Sequence, residues 1–361
     1  MRPWRGARTL ACRVGTRADT LYASKRREKS RRGTHGCVRH SIAPIVKLAL
    51  MGNARPGPAQ RYNRFMRGAL ILSLLPGLVS AADLRIDHAT VAGSSLKVLQ
   101  AKLAAAGIPA VYGGTHTIGA TEMALAGFPD GSYLELIAPQ ADADSHLIDR
   151  QPWAKFLRGD GVPCAWAARE KDLAGEVKRL AAAGIPVSAP VRGGRQRPDG
   201  ARLEWETSDV GTEPRGTFFP FLIRDLTERG LRAFPQGKPG NRDFRGIAKV
   251  VIAVRDLDAA IKRYRQAFGV PPPIKQVDPG FGAHLALLGG VPVVLAQPLT
   301  PESWLNERLD QFGEGPCAFV LGADRPGRYH AESQTRWFGI DISWFDSGKL
   351  GWRLGFENPE W

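Results

Sequence analysis

The sequence predicts an α+β fold in which one unit, a strand followed by a helix and several further strands, occurs four times. Three sets of internal repeats predict it. LAAAGIP stands at 103–109 and again at 180–186, each copy closing a helical pattern that follows a short apolar strand. On a longer scale WAKFLRGDGVPCAWA (153–167) is echoed by WLNERLDQFGEGPCAFV (304–320), and IDHATVAGSSLKVLQAKLAAAG (86–107) by IAKVVIAVRDLDAAIKRYRQAFG (247–269).

The elements follow in order. The first unit reads as a strand over 85–92, a helix over 95–106, a hairpin region near 117–127 and a strand over 132–138. The second reads as a strand over 162–168, a helix over 171–183, and strands over 201–207 and 216–223. Gly107-Ile108-Pro109 and Gly184-Ile185-Pro186 stop the two helices, because glycine suits a left-handed C-terminal cap and proline cannot continue a helix. The third unit has a strand over 247–254, a helix over 257–268 and strands near 282–288 and 291–297. The fourth has a strand over 317–321, little room for a helix, and a hairpin from GIDISWFDSG to GWRLGFE. RGLRAFPQGKPGNRDF (229–244), rich in Gly, Pro and Arg, divides the units two and two and reads as a linker. The domains expected are therefore 83–228 and 245–361.

Charge is distributed unevenly along the 361 residues. The formal net charge is +15, yet residues 1–81 hold 17 Lys and Arg against Asp19 and Glu28, leaving 33 basic and 33 acidic residues in the remainder. The folding part is neutral, which removes the nucleic-acid reading that a basic chain invites. MRGALILSLLPGLVSAAD, from Met66, has a positive start, an apolar run and a small-residue cleavage site at Val79-Ser80-Ala81, the pattern of a secretory signal peptide over 66–81. The run is too short to span a bilayer. Met66 is the expected start, residues 1–65 a basic disordered extension, and the mature protein periplasmic or secreted with no stable membrane span. Cys164 and Cys317 lie in apolar runs with no CxxC, as small buried hydrophobes do.

At this point the residues resemble a known family. Paired βαβββ units, with IDHATVAG, GGTHTIGATEMALAGFPDGSYLELIAP, RQRPDGARLEWET and FFPFLI, resemble the glyoxalase-like branch of the vicinal oxygen chelate superfamily, closely over about 84–225 and only in pattern beyond. The resemblance implies that the units pair into two cupped half-barrel domains, that the cup holds a small molecule, often with a divalent metal, and that ligands come from the first and last strands of a unit. His88 and Glu135 stand at those places. Alternation along a strand puts Tyr133, Glu135 and Ile137 on one face and Leu134 and Leu136 on the other, and groups Ile86, His88 and Thr90.

Two ligands do not make a metal site. In the register set by LAAAGIP the second unit offers Ala165 opposite His88 and Phe221 near Glu135. The third offers Lys249 and Val294, and the sister strands lack the carboxylate. His116, in GTHTIGA, is the remaining candidate; with His88 and Glu135 it gives two histidines and a carboxylate, a set suited to Fe(II), Mn or Zn with open positions for substrate. Arg195 and Arg197 are candidate contacts to a substrate carboxylate or phosphate, with Tyr133, Trp205 and Phe219 as walls. The late tryptophans Trp337, Trp344, Trp352 and Trp361 are expected to fill a core rather than form a platform. No GxSxG, Walker, HExxH or dinucleotide motif stands in a suitable context. The functional expectation is a metal-dependent lyase, isomerase or dioxygenase acting on a small oxygenated metabolite. A non-catalytic small-molecule carrier is the alternative, and a degenerate second half that stabilises the first or mediates homodimerisation is a third.

Overall fold

The first two predicted units end their helices within the LAAAGIP repeats. A computed structural model describes residues 84–116, 119–197 and 199–358. The expected signal peptide (66–81), the expected basic extension (1–65) and Trp361 lie outside the described residues. The first unit comprises β1 (Arg85–Ala92), α1 (Leu96–Ala105), β2 (Val111–Thr115), β3 (Thr121–Gly127) and β4 (Tyr133–Pro139), with α2 (Ser145–Asp149) after it. The second comprises β5 (Val162–Arg169), α3 (Leu173–Ala182), β6 (Val191–Gln196), β7 (Arg202–Ser208) and β8 (Phe221–Asp225), followed by α4 (Arg229–Ala233). The third has β9 (Phe244–Ala253), α5 (Leu257–Phe268), β10 (Ile274–Asp278), β11 (Ala283–Leu288) and β12 (Val293–Pro298), then α6 (Trp304–Phe312). The fourth has β13 (Gly315–Ala323), β14 (Ser333–Trp337), β15 (Ile340–Trp344), α7 (Ser347–Leu350) and β16 (Arg353–Glu357).

Local chemistry explains the helix ends. Ser95, Asp172 and Asp256 cap α1, α3 and α5 by accepting from the backbone N–H of Val98, Gly175 and Ala259. Gly107 and Gly184 adopt φ of 81° and 74°, the left-handed turn that their sequence predicts.

The strands form two eight-stranded sheets with the same order, β2-β3-β4-β1-β5-β8-β7-β6 and β10-β11-β12-β9-β13-β16-β15-β14. In each, the first strands of two units are antiparallel neighbours at the centre and each pairs in parallel with the last strand of its own unit. These are the paired half-barrels that the units predict. The first sheet curls until its edges meet: Arg195 Nη1 of β6 donates to the Gly113 carbonyl of β2 at 2.5 Å.

Alternation sorts the side chains into layers. Leu134, Leu136 and Ala138 of β4 join Val250 and Ile252 of β9, together with α1, α3 and α5, in one core shared by the two halves. Phe218 and Phe219 pack there as well, against Tyr264 and Phe268 of α5. Phe219 is therefore core between the halves, and the expectation of a cup wall is corrected. The strand expected from 216 begins only at Phe221, after Pro220.

Besides β2 and β14, which the sequence reading also lacked, two further strands were not anticipated. RGGRQ, read as a loop, is β6, and its glycines permit it: a Cβ on Gly194 would come within 2.6 Å of the Leu203 carbonyl and one on Gly193 within 2.8 Å of the Trp205 ring. The other is β10, whose IKQVD is largely exposed. The stretch 229–244, read as a linker, carries α4 with Arg232 buried, and bare Gly127 lets it approach, since a Cβ there would meet the Ala233 carbonyl at 2.7 Å.

The second cup is full. Phe281, Trp337 and Trp344 pack ring on ring with Leu285, Val294 and Leu309, as the tryptophan spacing leads one to expect, while Trp352 joins the shared core. Lys249, at the place of His88, is paired with both oxygens of Glu357 on β16. A sister strand thus does carry a carboxylate, but it is neutralised inside a packed cup. Among the described residues no helix is long and apolar enough to cross a membrane.

Candidate functional site

The first cup is not full, and a break in β1 organises it. The register of β1 against β5 shifts between Ile86 and His88, a bulge that re-aims side chains. Ile86 consequently packs in the shared core, so the grouping of Ile86 with His88 and Thr90 is corrected, and Asp87 reaches the ring of its own neighbour. His88 Nδ1 donates to Asp87 Oδ1 at 2.6 Å.

Asp87 is fully buried. Arg232 Nη1 and Nη2 donate to its two oxygens at 2.9 and 2.8 Å, and Arg229 Nη1 adds a bond at 2.5 Å. Burial alone would raise this carboxyl; Arg232, the His88 bond and Arg229 together hold it well below the ordinary value. Because the acceptor is an anion, Nδ1 of His88 carries the shared proton and Nε2 is the nitrogen turned toward Glu135. The ring is clamped by Tyr133, stacked at 4.8 Å with an interplanar angle of 9°, and edged by Phe221 at 5.3 Å.

Glu135 faces it on β4, as alternation predicts, with Tyr133 and Ile137 on the same side. Thr90 Oγ1 donates to Oε2 at 3.0 Å. His88 Nε2 is 3.8 Å from Oε2, and His116 Nε2 is 3.7 Å from Oε1. His116 Nδ1 is tied to Thr121 Oγ1 at 2.8 Å. Burial pushes the Glu135 carboxyl up, but the nearby His116 and His88 imidazoles and the Thr90 hydroxyl outweigh it and bring it down to about 2.

These three residues line a cavity of ≈ 370 Å³. Met123, Trp153, Trp205, Phe221 and Ile223 supply apolar wall, and Arg195, Arg215 and Arg232 bring cations to it. Arg215 lies 4.0 Å over the Phe221 ring and pairs with Asp209 at 2.9 Å. Burial lowers both Arg195 and Arg215 from their ordinary value. Tyr133 also lines the cavity, but its hydroxyl accepts from Arg232 at 2.7 Å, and burial raises its pKa. Arg197 is not in the lining: its guanidinium donates to the carbonyls of Leu231, Phe234 and Pro235 and pairs with Asp199. Its expected substrate contact is replaced by a bond to the chain around α4. A larger hollow of ≈ 710 Å³ runs along β6 and β7, where Arg192 and Arg202 are paired with Glu204 in the open. It lacks buried ionisable groups other than Arg195.

Sequence reasoning thus brings His88, His116, Glu135, Tyr133, Arg195 and Trp205 to one cavity and misses Asp87, Arg215 and Arg232. Asp87 carried a signal, a carboxylate beside the histidine in IDHAT. Arg232 carried none, being 145 positions after Asp87 in a stretch that reads as a linker.

Among the described residues, no group of three or more His, Cys, Asp and Glu forms a metal site as placed. The donor chemistry nevertheless suits one. Both imidazoles have Nδ1 held by a partner and Nε2 turned to the same carboxylate, the outer-shell arrangement of histidine ligands, and separations of 3.7 and 3.8 Å leave room between them for an ion.

Residues 86–245 match a glyoxalase-like domain family. Among solved structures, a hypothetical protein from Staphylococcus aureus superposes over 76% of this chain and 100% of its own, with 12% identity and a TM-score of 0.53; the likeness is one of fold. Methylmalonyl-CoA epimerase from Mycobacterium tuberculosis aligns over 33% of this chain and 90% of its own, at 21% identity and a TM-score of 0.30. No curated protein matches the sequence.

Proposed function

With residues 86–245 belonging to a glyoxalase-like domain of the vicinal oxygen chelate superfamily, we propose that the first cup is the working site of a metal-dependent enzyme acting on a small, oxygen-rich anion. One observation carries the reading: two imidazoles from β1 and the loop after β2, each tied at Nδ1, turn Nε2 toward the two oxygens of one buried carboxylate at a cavity wall. His88, His116 and Glu135 would hold the ion. Bound there, a divalent metal supplies Lewis-acid polarisation of substrate oxygens.

The chain's own groups do the rest. Arg195 and Arg215 offer guanidiniums to a carboxylate in a site walled by Trp153, Trp205 and Phe221, where low water content strengthens the attraction. Asp87 keeps the His88 proton on Nδ1 and the ring in place. Arg232 fixes Asp87 and Tyr133 together.

Metal content tests the reading. The purified chain should hold about one equivalent of Fe, Mn or Zn, lost in His88→Ala and in Glu135→Ala. Absence of metal from the parent protein under supplementation with each ion would sink it.

A second reading, a carrier without chemistry, has its own support. Glu135 at about 2 is too weak a base for proton abstraction near neutrality, and the Tyr133 hydroxyl is engaged by Arg232. A bound ligand recovered unchanged after long incubation would favour it. Export belongs to the same proposal, supported by the pattern over 66–81; N-terminal sequencing of exported protein should begin near Ala82.

A further inference from the structure

A second group of cations lies where α6 meets the first half, and it lacks the carboxylates that surround the first. Arg308 of α6 is only 7% exposed. Its Nη1 donates to the Gly313 carbonyl at 3.0 Å, and Nη2 to those of Pro316 and Pro163 at 2.8 and 3.4 Å, while Nε has no partner. Phe156 and Phe312, stacked at 4.8 Å, lie within 5.6 and 5.0 Å of its guanidinium. Beside it Lys155 Nζ donates to the Phe312 carbonyl at 2.6 Å. Arg353, at the start of β16, rests 4.3 Å over Trp304 and 5.4 Å from Phe281, with no hydrogen-bond or ion-pair partner among the described residues.

Arg308 and Arg353 therefore line one cavity, with Lys155 beside Arg308, and none of the three has an ion-pair partner among the described residues. A guanidinium does not escape by losing its proton, and a buried charge costs several kcal/mol unless it is compensated. Carbonyl dipoles and ring faces compensate Arg308 in part. The remaining strain shows in two groups: burial lowers Arg308 to about 10, and burial together with Arg308 lowers Lys155.

Between Arg308 and Arg353 lies a cavity of ≈ 320 Å³ walled by Pro163, Trp304, Phe312 and Trp352. Its size falls at the small end of ligand sites. Trp352 is buried with its Nε1 unpartnered. Glu307 borders the cavity from the exposed face of α6 and forms no ion pair with any of the three cations.

We propose that this junction cavity is a second binding site, separate from the first cup, for a small organic carboxylate with a flat apolar body. The carboxylate faces Arg308 and Arg353, and the body lies against the aromatic walls. Bidentate guanidinium geometry suits a carboxylate, and the walls select it over inorganic anions. Occupancy would tie α6 and β16 of the second half to the start of β5 in the first.

Titration calorimetry of the full chain with sodium benzoate, against sodium chloride and inorganic phosphate at equal ionic strength, tests this. Benzoate should bind, and Arg353→Gln, at a partly buried position, should weaken it at least roughly tenfold. Arg195→Gln, in the first cup, should leave that affinity in place. Without benzoate, Arg353→Gln should still fold, because Arg353 makes ring contacts but no hydrogen bond or ion pair among the described residues. No benzoate binding, equal binding of phosphate or chloride, or loss of benzoate with Arg195→Gln in place of Arg353→Gln would each overturn the proposal.

Discussion

Asp87 and His88 are neighbours in sequence and hydrogen-bond partners in space, 2.6 Å apart, because a bulge in β1 turns the carboxylate of one toward the ring of the other. Two arginines from the far end of the first domain complete the contact. Replacing Asp87 with Asn removes one of the two carboxylates that Arg232 and Arg229 share, and leaves them paired with Asp225. Breaking a buried charge pair in this way costs about 3–5 kcal/mol, and loss of an outer-shell partner weakens metal binding by about 10- to 100-fold. Urea denaturation and metal titration of Asp87→Asn read both, and an unchanged midpoint would show that the arginines are satisfied elsewhere.

Acid should act on the same cluster. Asp87 and Glu135 have folded-state values below their ordinary ones, Glu135 at about 2 against 4.5. A depressed carboxyl contributes stability that is fully present above its unfolded value and is lost as pH falls through the folded one. Denaturation midpoints should therefore hold down to about pH 4.5 and decline from there toward 2. Glu135→Gln should flatten part of that decline.

Arg195 and Arg197, two residues apart, should separate in their effects. Arg197→Gln releases the carbonyls of Leu231, Phe234 and Pro235, so it should lower the melting temperature and leave ligand affinity nearly intact. Arg195→Gln should weaken a carboxylate found by thermal-shift screening by about ten- to a hundredfold. Equal losses of affinity in both would place Arg197 in the site after all.

Phe281→Ala opens the packed second cup. Large-to-small changes of this kind cost about 3–5 kcal/mol, which thermal melting would register. Metal content should stay at the parent level, since no residue of that cup lines the first cavity.

The fold was legible where its rule is local. Repeated LAAAGIP marked two helix ends, and alternation in YLELI assigned Tyr133 and Glu135 to the cavity and Leu134 and Leu136 to the core. It was not legible where backbone geometry broke the rule. The bulge at Asp87 gives no compositional sign, and β6 hides its strand behind glycines that exist to let β7 approach. Arg215 reaches the cavity from a stretch left unassigned between two predicted strands and Arg232 from one that reads as a linker, because only the curl of the sheet brings them there. Phe219 followed the opposite course, an aromatic read as a wall that the break at Pro220 turns into the shared core.

The packed second cup has a bearing on the order of unfolding. Ring-on-ring packing of Phe281, Trp337 and Trp344, closed by α6 and by the Lys249–Glu357 pair, makes that half the region whose amides open only with global unfolding. The first sheet, with a cavity in its middle and one Arg195–Gly113 bond across its seam, is the region free to breathe. Hydrogen exchange would then be slowest in the half whose cup is packed, which serves as a rigid wall for the half whose cup is open.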